Sequence, residues 1–178
     1  VYFYNLGLLL GADKIYEYAN QFGFDRPTGI ELFGEKGGFV PSMNWKRMEK
    51  KENWFSGDTA NFAIGQGYLL VTPLQVACMV SSIANGGYLV EPHILKRMAH
   101  LGKPLKVRKE NLEVIKNAMR AVVENKDGTG VKARSELVPI SAKTGTVQVG
   151  GGFNSHGWFV GFVPSENPEI SFVVFIEN

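Results

Sequence analysis

The sequence predicts an α+β fold with helices first and an antiparallel sheet last. Two helices carry clear start and stop signals, one opening at Thr72-Pro73-Leu74-Gln75 and one running from Asn111 to Val123. At the C-terminal end three strand-like runs follow one another: Leu137 to Val149, His156 to Val163 and Glu169 to Ile176. Their connectors, Gly150-Gly151-Gly152-Phe153-Asn154 and Pro164-Ser165-Glu166-Asn167-Pro168, are short enough for hairpins, so the runs form a meander.

Taken in chain order, Val1 to Leu10 is apolar but about half the ~20 residues a membrane-spanning helix needs, and Asn5 interrupts it. Lys14 to Phe22 reads as a helix with Asp13 near its N-cap, because Ile15, Tyr16, Ala19 and Phe22 recur on one face. Gly23 ends it, and Arg26 to Gly38 is rich in turn residues. Asn44 to Trp54 carries Lys46, Arg47, Lys50 and Lys51 offset by Glu49 and Glu52, the pattern of a solvated surface segment. Thr72 suits an N-cap, Pro73 the first helical position and Gln75 the return arm of a capping box. That helix runs through Val76, Met79, Val80 and Ile83 and stops at Asn85-Gly86-Gly87, with Cys78 inside it as a small buried hydrophobe. Tyr88 to Met98 reads as extended, with Pro92 demoting part of it to an edge. The next helix places Leu112, Ile115, Met119 and Val122 or Val123 on its apolar side and closes at Asp127-Gly128-Thr129-Gly130. The chain opens in mid-stretch without Met, and its last strand run stops just short of the end. Residues 1–178 are therefore expected to be a portion of one larger domain, truncated at both ends.

Composition removes several function classes. A 44% hydrophobic, 20% charged chain has the makings of a packed core, and 21 glycines, roughly 12% against a usual ~7%, indicate many turns and close backbone approaches. A net charge of +2 is too mild for a nucleic-acid-binding face. The single cysteine, Cys78, allows neither an internal disulfide nor a thiolate zinc cluster. His93, His100 and His156 are isolated, and there is no phosphate loop or His-Glu-x-x-His metal motif, so metal chemistry is unsupported. Gly65-Gln66-Gly67 lacks the third glycine of a dinucleotide loop.

One run stands apart: Lys143-Thr144-Gly145-Thr146, inside the first C-terminal strand. A glycine in mid-strand marks a place where another backbone comes close. With an ammonium and two hydroxyls beside it, the run makes an anion-binding strip along which an extended peptide could add as a strand. A turn-prone polar segment would look the same by composition alone.

Lys-Thr-Gly is also a signature of penicillin-binding proteins and β-lactamases. Ser141-Ala142-Lys143-Thr144-Gly145-Thr146-Val147-Gln148 and His156-Gly157-Trp158-Phe159-Val160-Gly161-Phe162-Val163-Pro164 resemble the third motif, and the strand after it, of class B penicillin-binding proteins. Ser56-Gly57-Asp58-Thr59, Ile64-Gly65-Gln66-Gly67-Tyr68 and Thr72-Pro73-Leu74-Gln75 are similar to the stretch between that family's second and third motifs. The resemblance is to the elongation type and covers essentially the whole chain. Two departures stand out. No serine here has a lysine three positions later, so the nucleophile motif is absent. Of the looser Ser-x-Asn motif only Ser42-Met43-Asn44 and Ser165-Glu166-Asn167 occur, both in unsuitable surroundings.

The resemblance implies a penicillin-recognising fold: a five-stranded antiparallel sheet flanked by helices, three strands of it supplied here, with sheet edge and apolar surface left exposed. It implies a peptidoglycan D,D-transpeptidase that cross-links stem peptides through a serine acyl-enzyme and binds penicillin covalently. Lys143 would tune charge and proton traffic, and Thr144 and Thr146 would bind the substrate carboxylate. The Thr146 N–H would serve an oxyanion hole, Gly145 would leave room, and Gln148 would line the same groove. The implied partners are D-Ala-D-Ala stem peptides, β-lactam antibiotics and cell-elongation proteins, with no cofactor and no nucleic acid. The implied location is the extracytoplasmic face of the bacterial membrane, with an anchor outside these residues. A β-lactamase and a non-enzymatic penicillin sensor or scaffold are the rival readings. The first needs a water-activating group that Glu35, Glu52 and Glu124 do not evidently provide.

Overall fold

A computed structural model describes residues 1–96, 102–148 and 155–177. Helices α1 (Tyr2–Leu10), α2 (Ala12–Gln21), a short α3 (Met43–Trp45) and α4 (Ser56–Ala63) precede α5 (Pro73–Ala84). Two-residue strands β1 (Tyr88–Leu89) and β2 (Lys103–Pro104) form an antiparallel ribbon before α6 (Lys109–Glu124). The chain ends in β3 (Ser141–Gln148), β4 (Ser155–Val163) and β5 (Ile170–Ile176), an antiparallel meander in the order β3-β4-β5.

The α+β expectation holds, and the meander falls where the strand runs lie. Leu137 to Ile140 stays outside β3: Leu137 is exposed and the Pro139 carbonyl accepts the Ser165 N–H at 2.9 Å. Val149 and the Gly150 to Asn154 connector lie outside the described residues, as do Arg97, Met98 and His100. The extended reading of Tyr88 to Met98 shrinks to the Tyr88–Leu89 pair. Helix α2 is capped by Gly11 at φ 84° rather than by Asp13, which sits in the first turn, where its charge complements the helix dipole. Helix α1 is amphipathic only in part. Gly7 crosses α4 so closely that a Cβ there would overlap the Ala63 methyl, while Val1, Tyr2, Phe3 and Leu9 remain exposed. Among the described residues no helix is long and apolar enough to cross a membrane.

Helix α5 organises the interior. Val76, Val80 and Ile83 join Leu112 and Met119 of α6, Val160 and Phe162 of β4, and Phe24, Val40 and Phe62 in one core. Each such side chain contributes about 1.5–3 kcal/mol on burial. On the face turned away from α5, α6 and the loop after it cover part of β3 and β4, with Ala142 fully buried. Ile170, Val174 and Ile176 of β5 are exposed on that face.

The N-terminus of α5 is the capping box read from the sequence. The Gln75 N–H donates to Thr72 Oγ1 at 3.2 Å, and the Thr72 N–H donates to Gln75 Oε1 at 2.9 Å. Gln75 does more than cap, being 1% exposed. Its Nε2 donates to the carbonyls of Arg26 at 2.9 Å and Gly37 at 2.7 Å, tying the turn-rich segment 26–38 to α5. Gly38 at φ 65° passes so close that a Cβ would stand 2.7 Å from Gln75 Oε1. Cys78, one turn on, is buried, and burial aided by the Glu35 charge pushes its thiol up to about 11.

The segment from Asn44 to Trp54 is a solvated surface at Arg47, Glu49, Lys50, Lys51 and Glu52, but Lys46 departs from it. Lys46 is 3% exposed and donates to Asp58 Oδ2 at 2.7 Å, with Glu52 at 3.6 Å and the rings of Phe55 and Tyr68 beneath the ammonium. Trp45 packs edge-on between Phe39 and Tyr68, and Trp54 donates its Nε1–H to Thr59 Oγ1 at 2.8 Å. Lys46 and the two tryptophans turn inward, while the remaining charged residues of the segment stay in solvent. Burial works to raise the Asp58 carboxyl. The Lys46 hydrogen bond, the Phe55 N–H at 2.7 Å and the Lys46 charge outweigh it and hold the group below the usual carboxylate range.

Two measurements check this account. Gln75→Leu strands three backbone groups without partners and is expected to cost about 2–4 kcal/mol in denaturant unfolding, against a negligible effect for the exposed Gln148→Leu. Because Asp58 is held ionised in the folded chain, its stabilisation is complete above its unfolded pKa of about 4 and fades as pH falls through the lower folded value. The stability gap between the wild type and Asp58→Asn should therefore be widest at neutral pH and narrow on acidification. A gap that is constant with pH would contradict the ion pair's role.

Candidate active site

Strand β3 carries the four residues singled out in the sequence, and its place depends on β4. Gly161 lies opposite Ala142, and a Cβ on it would overlap the Ser141 carbonyl oxygen and stand 2.9 Å from the Ala142 Cα. With Ala142 and Phe162 fully buried at the same end, β3 is locked in one register: Lys143 opposite Val160, Thr144 opposite Phe159, Gly145 opposite Trp158 and Thr146 opposite Gly157. Alternation puts Lys143 and Gly145 on the core side of the sheet and Thr144, Thr146 and Gln148 on the other. Among the described residues β3 pairs with β4 alone, so its second edge is open and offers unpaired backbone N–H and C=O groups.

A groove of about 380 Å³ lies along the core side of that edge. Lys143, Gly145 and Trp158 face Ile64, Leu70 and Met79 across it. The Ile64-Gly65 part of the motif between α4 and α5 is thus drawn into the site, while Ser56, Asp58 and Thr59 build the α4 start instead. Lys143 is exposed, its Nζ donating to the Thr144 carbonyl. Gly145 lies close to the side chain of Trp158 on the neighbouring strand. A Cβ on it would come 3.2 Å from the Trp158 Cβ, tighter than ordinary van der Waals contact. Trp158 packs at 4.5 Å on Phe175 while also lining the groove, and Phe159 packs at 5.6 Å on Phe172. Thr146 is exposed on the strand. Gln148 is exposed opposite Ser155 and is not part of the groove wall.

Both literal Ser-x-Asn strings are committed to structure. Ser42 caps α3, accepting the Trp45 N–H at 3.1 Å. Ser165 is buried and accepts the Ser141 hydroxyl at 2.9 Å, while Glu166 is held by Arg120 at 2.6 Å. His156 stacks edge-on against Phe175 at 5.2 Å, and His93 is exposed. No group of three or more metal-ligating side chains occurs among the described residues. Sequence reading passed over Thr129, taken only as part of the stop after α6. Its Oγ1 stands 2.7 Å from Thr144 Oγ1. The hint was a hydroxyl residue framed by Gly128 and Gly130, a spacing that a helix stop alone does not require.

A helix-backed antiparallel sheet with Lys-Thr-Gly-Thr on an open edge above a groove is the architecture of the penicillin-recognising fold. Within that fold the penicillin binding protein transpeptidase domain family matches residues 1–178, and the chain belongs to it. It is 37% identical to the peptidoglycan D,D-transpeptidase MrdA of Acinetobacter baumannii, over 99% of this chain and 30% of that protein. Among solved structures it is similar to Helicobacter pylori PBP2 in complex with MreC, with TM-score 0.91 and 35% identity over 99% of this chain and 34% of that one. It is also similar to Pseudomonas aeruginosa PBP2 in complex with WCK 5153, with TM-score 0.88 and 34% identity over 99% and 42%. The chain spans about a third of the length of the curated relatives it matches.

Proposed function

We propose that this chain is the Lys-Thr-Gly portion of the catalytic domain of a peptidoglycan D,D-transpeptidase, the C-terminal part of a single transpeptidase domain. The observation that carries the reading is the open β3 edge, with Lys143, Thr144, Gly145 and Thr146 presented beside a groove in a chain of this family.

In the proposed reaction a serine hydroxyl supplied from outside these residues attacks the carbonyl carbon of the penultimate D-Ala of a stem peptide. The serine proton passes to the leaving D-Ala amine, and an ester joins enzyme and peptide. An amine of a neighbouring stem then attacks that ester, forming the cross-link and returning the proton to the serine. The stem peptide lies along β3 as an added strand, for which Gly145 leaves room. Thr144 and Thr146 donate hydroxyls to its terminal carboxylate. The Thr146 N–H steadies the oxyanion, a contact worth about 3–4 kcal/mol in such sites. Lys143 supplies positive charge at the point where the serine must lose its proton. A β-lactam enters as a mimic of the stem-peptide end and stalls at the ester. Location on the extracytoplasmic face of the membrane, and contact with elongation proteins, belong to the same proposal. The relative's complex with MreC supports the latter.

Intact-protein mass after benzylpenicillin tests the reading on this chain and on a longer one reaching upstream to a Ser-x-x-Lys. One adduct is expected on the longer chain and none on the shorter, and Lys143→Gln should slow its formation by about a hundredfold. An adduct on the short chain would place the nucleophile among its own serines. No adduct on a folded longer chain would overturn the enzyme.

A further inference from the structure

The loop after α6 is built to hold one hydroxyl against β3. Gly128 donates its N–H to the Asn125 carbonyl at 2.9 Å, and Gly130 donates to the Val122 carbonyl at 3.0 Å, folding the loop back on the end of α6. Neither position admits a side chain easily. A Cβ on Gly128 would overlap the Val122 carbonyl oxygen and one on Gly130 would stand 3.1 Å from Val122 Cγ1 and 3.4 Å from the Phe159 ring. Thr129, fixed between them, reaches β3 and places its Oγ1 2.7 Å from Thr144 Oγ1. The contact joins residues on two different elements at the open edge.

A hydroxyl has one proton to give and two lone pairs. If Thr144 gives its proton to Thr129, it has none for a ligand carboxylate. If Thr129 is the donor, the Thr144 proton is free. A carboxylate beside Thr144 settles the choice, because a hydrogen bond to a charged acceptor is about twice as strong as one between neutral groups. The Thr144 proton then turns to the ligand, the Thr129 proton turns to Thr144, and the two O–H dipoles align and reinforce each other.

Resting on the carboxylate-binding role proposed for Thr144, we infer that Thr129 is a positioning residue, the outer donor of a two-hydroxyl relay that aims the Thr144 O–H at the ligand carboxylate. It does not touch the ligand.

The test measures acylation of the full-length protein carrying this segment by benzylpenicillin and by its methyl ester, which lacks the carboxylate charge. The readout is the ratio of the two acylation efficiencies in wild type, Thr129→Val, Thr129→Ser and Thr144→Val. Thr129→Val is expected to lower that ratio about three- to tenfold, the effect of one lost hydrogen bond, and to act through the ligand concentration needed for half-maximal rate. Thr129→Ser should restore the ratio to within about twofold, since it keeps the hydroxyl. Should the valine methyl disturb the loop, as a lowered melting temperature would show, Thr129→Ala replaces it. A fall with Thr144→Val but an unchanged ratio with Thr129→Val overturns the relay alone. So does an equal loss for acid and ester, which is what a merely structural threonine gives. An unchanged ratio with Thr144→Val overturns the carboxylate role of Thr144 and the relay together.

Discussion

The whole site hangs on the approach of β3 to β4 at Ala142 and Gly161. There the two backbones come so near that no side chain fits on Gly161, and both Ala142 and the adjoining Phe162 are sealed from solvent. Strand register is costly to change in such a place, because a slip of one residue would carry every side chain to the opposite face. Lys143 is therefore fixed on the groove side and Thr144 and Thr146 on the other, whatever ligand is present. Helix α5 supports this from below, with its Ser81 hydroxyl 2.5 Å from that of Ser171 on β5 and its apolar side under β4. Rigidity at one end of β3 beside an open edge suits the peptide addition proposed for it.

Much of this was legible in the sequence, and the reasons differ by element. The start of α5 could be read residue by residue, since Thr72, Pro73 and Gln75 each answer a local backbone requirement. The meander was legible because three β-rich runs alternate with turn residues. The Lys-Thr-Gly-Thr strip was legible because an interior glycine in a strand calls for a reason, and the close Trp158 side chain is one. The motifs around it pointed to the family.

Other features depend on contacts across long sequence separations. Lys46 has the sequence look of one of several solvated cations, and its burial rests on Asp58 of α4, with Glu52 and the rings of Phe55 and Tyr68 beside it. Gln75 was recognisable as a cap but not as the anchor of the Arg26 and Gly37 carbonyls, which lie far earlier in the chain. Asp13 was chosen as a cap on side-chain chemistry, whereas the backbone turns at Gly11 through a conformation that glycine alone adopts freely. Thr129 was hidden inside a stop signal that fully accounted for it locally.

The most direct test of the account is a crystal structure of the full-length protein after acylation by benzylpenicillin. The account predicts the ligand lying along the free edge of β3. Its carboxylate should be within hydrogen-bond distance of the Thr144 and Thr146 hydroxyls, and the acyl oxygen on the Thr146 N–H. A ligand bound away from that edge, or one whose carboxylate is held by other groups while both threonines face solvent, would contradict it.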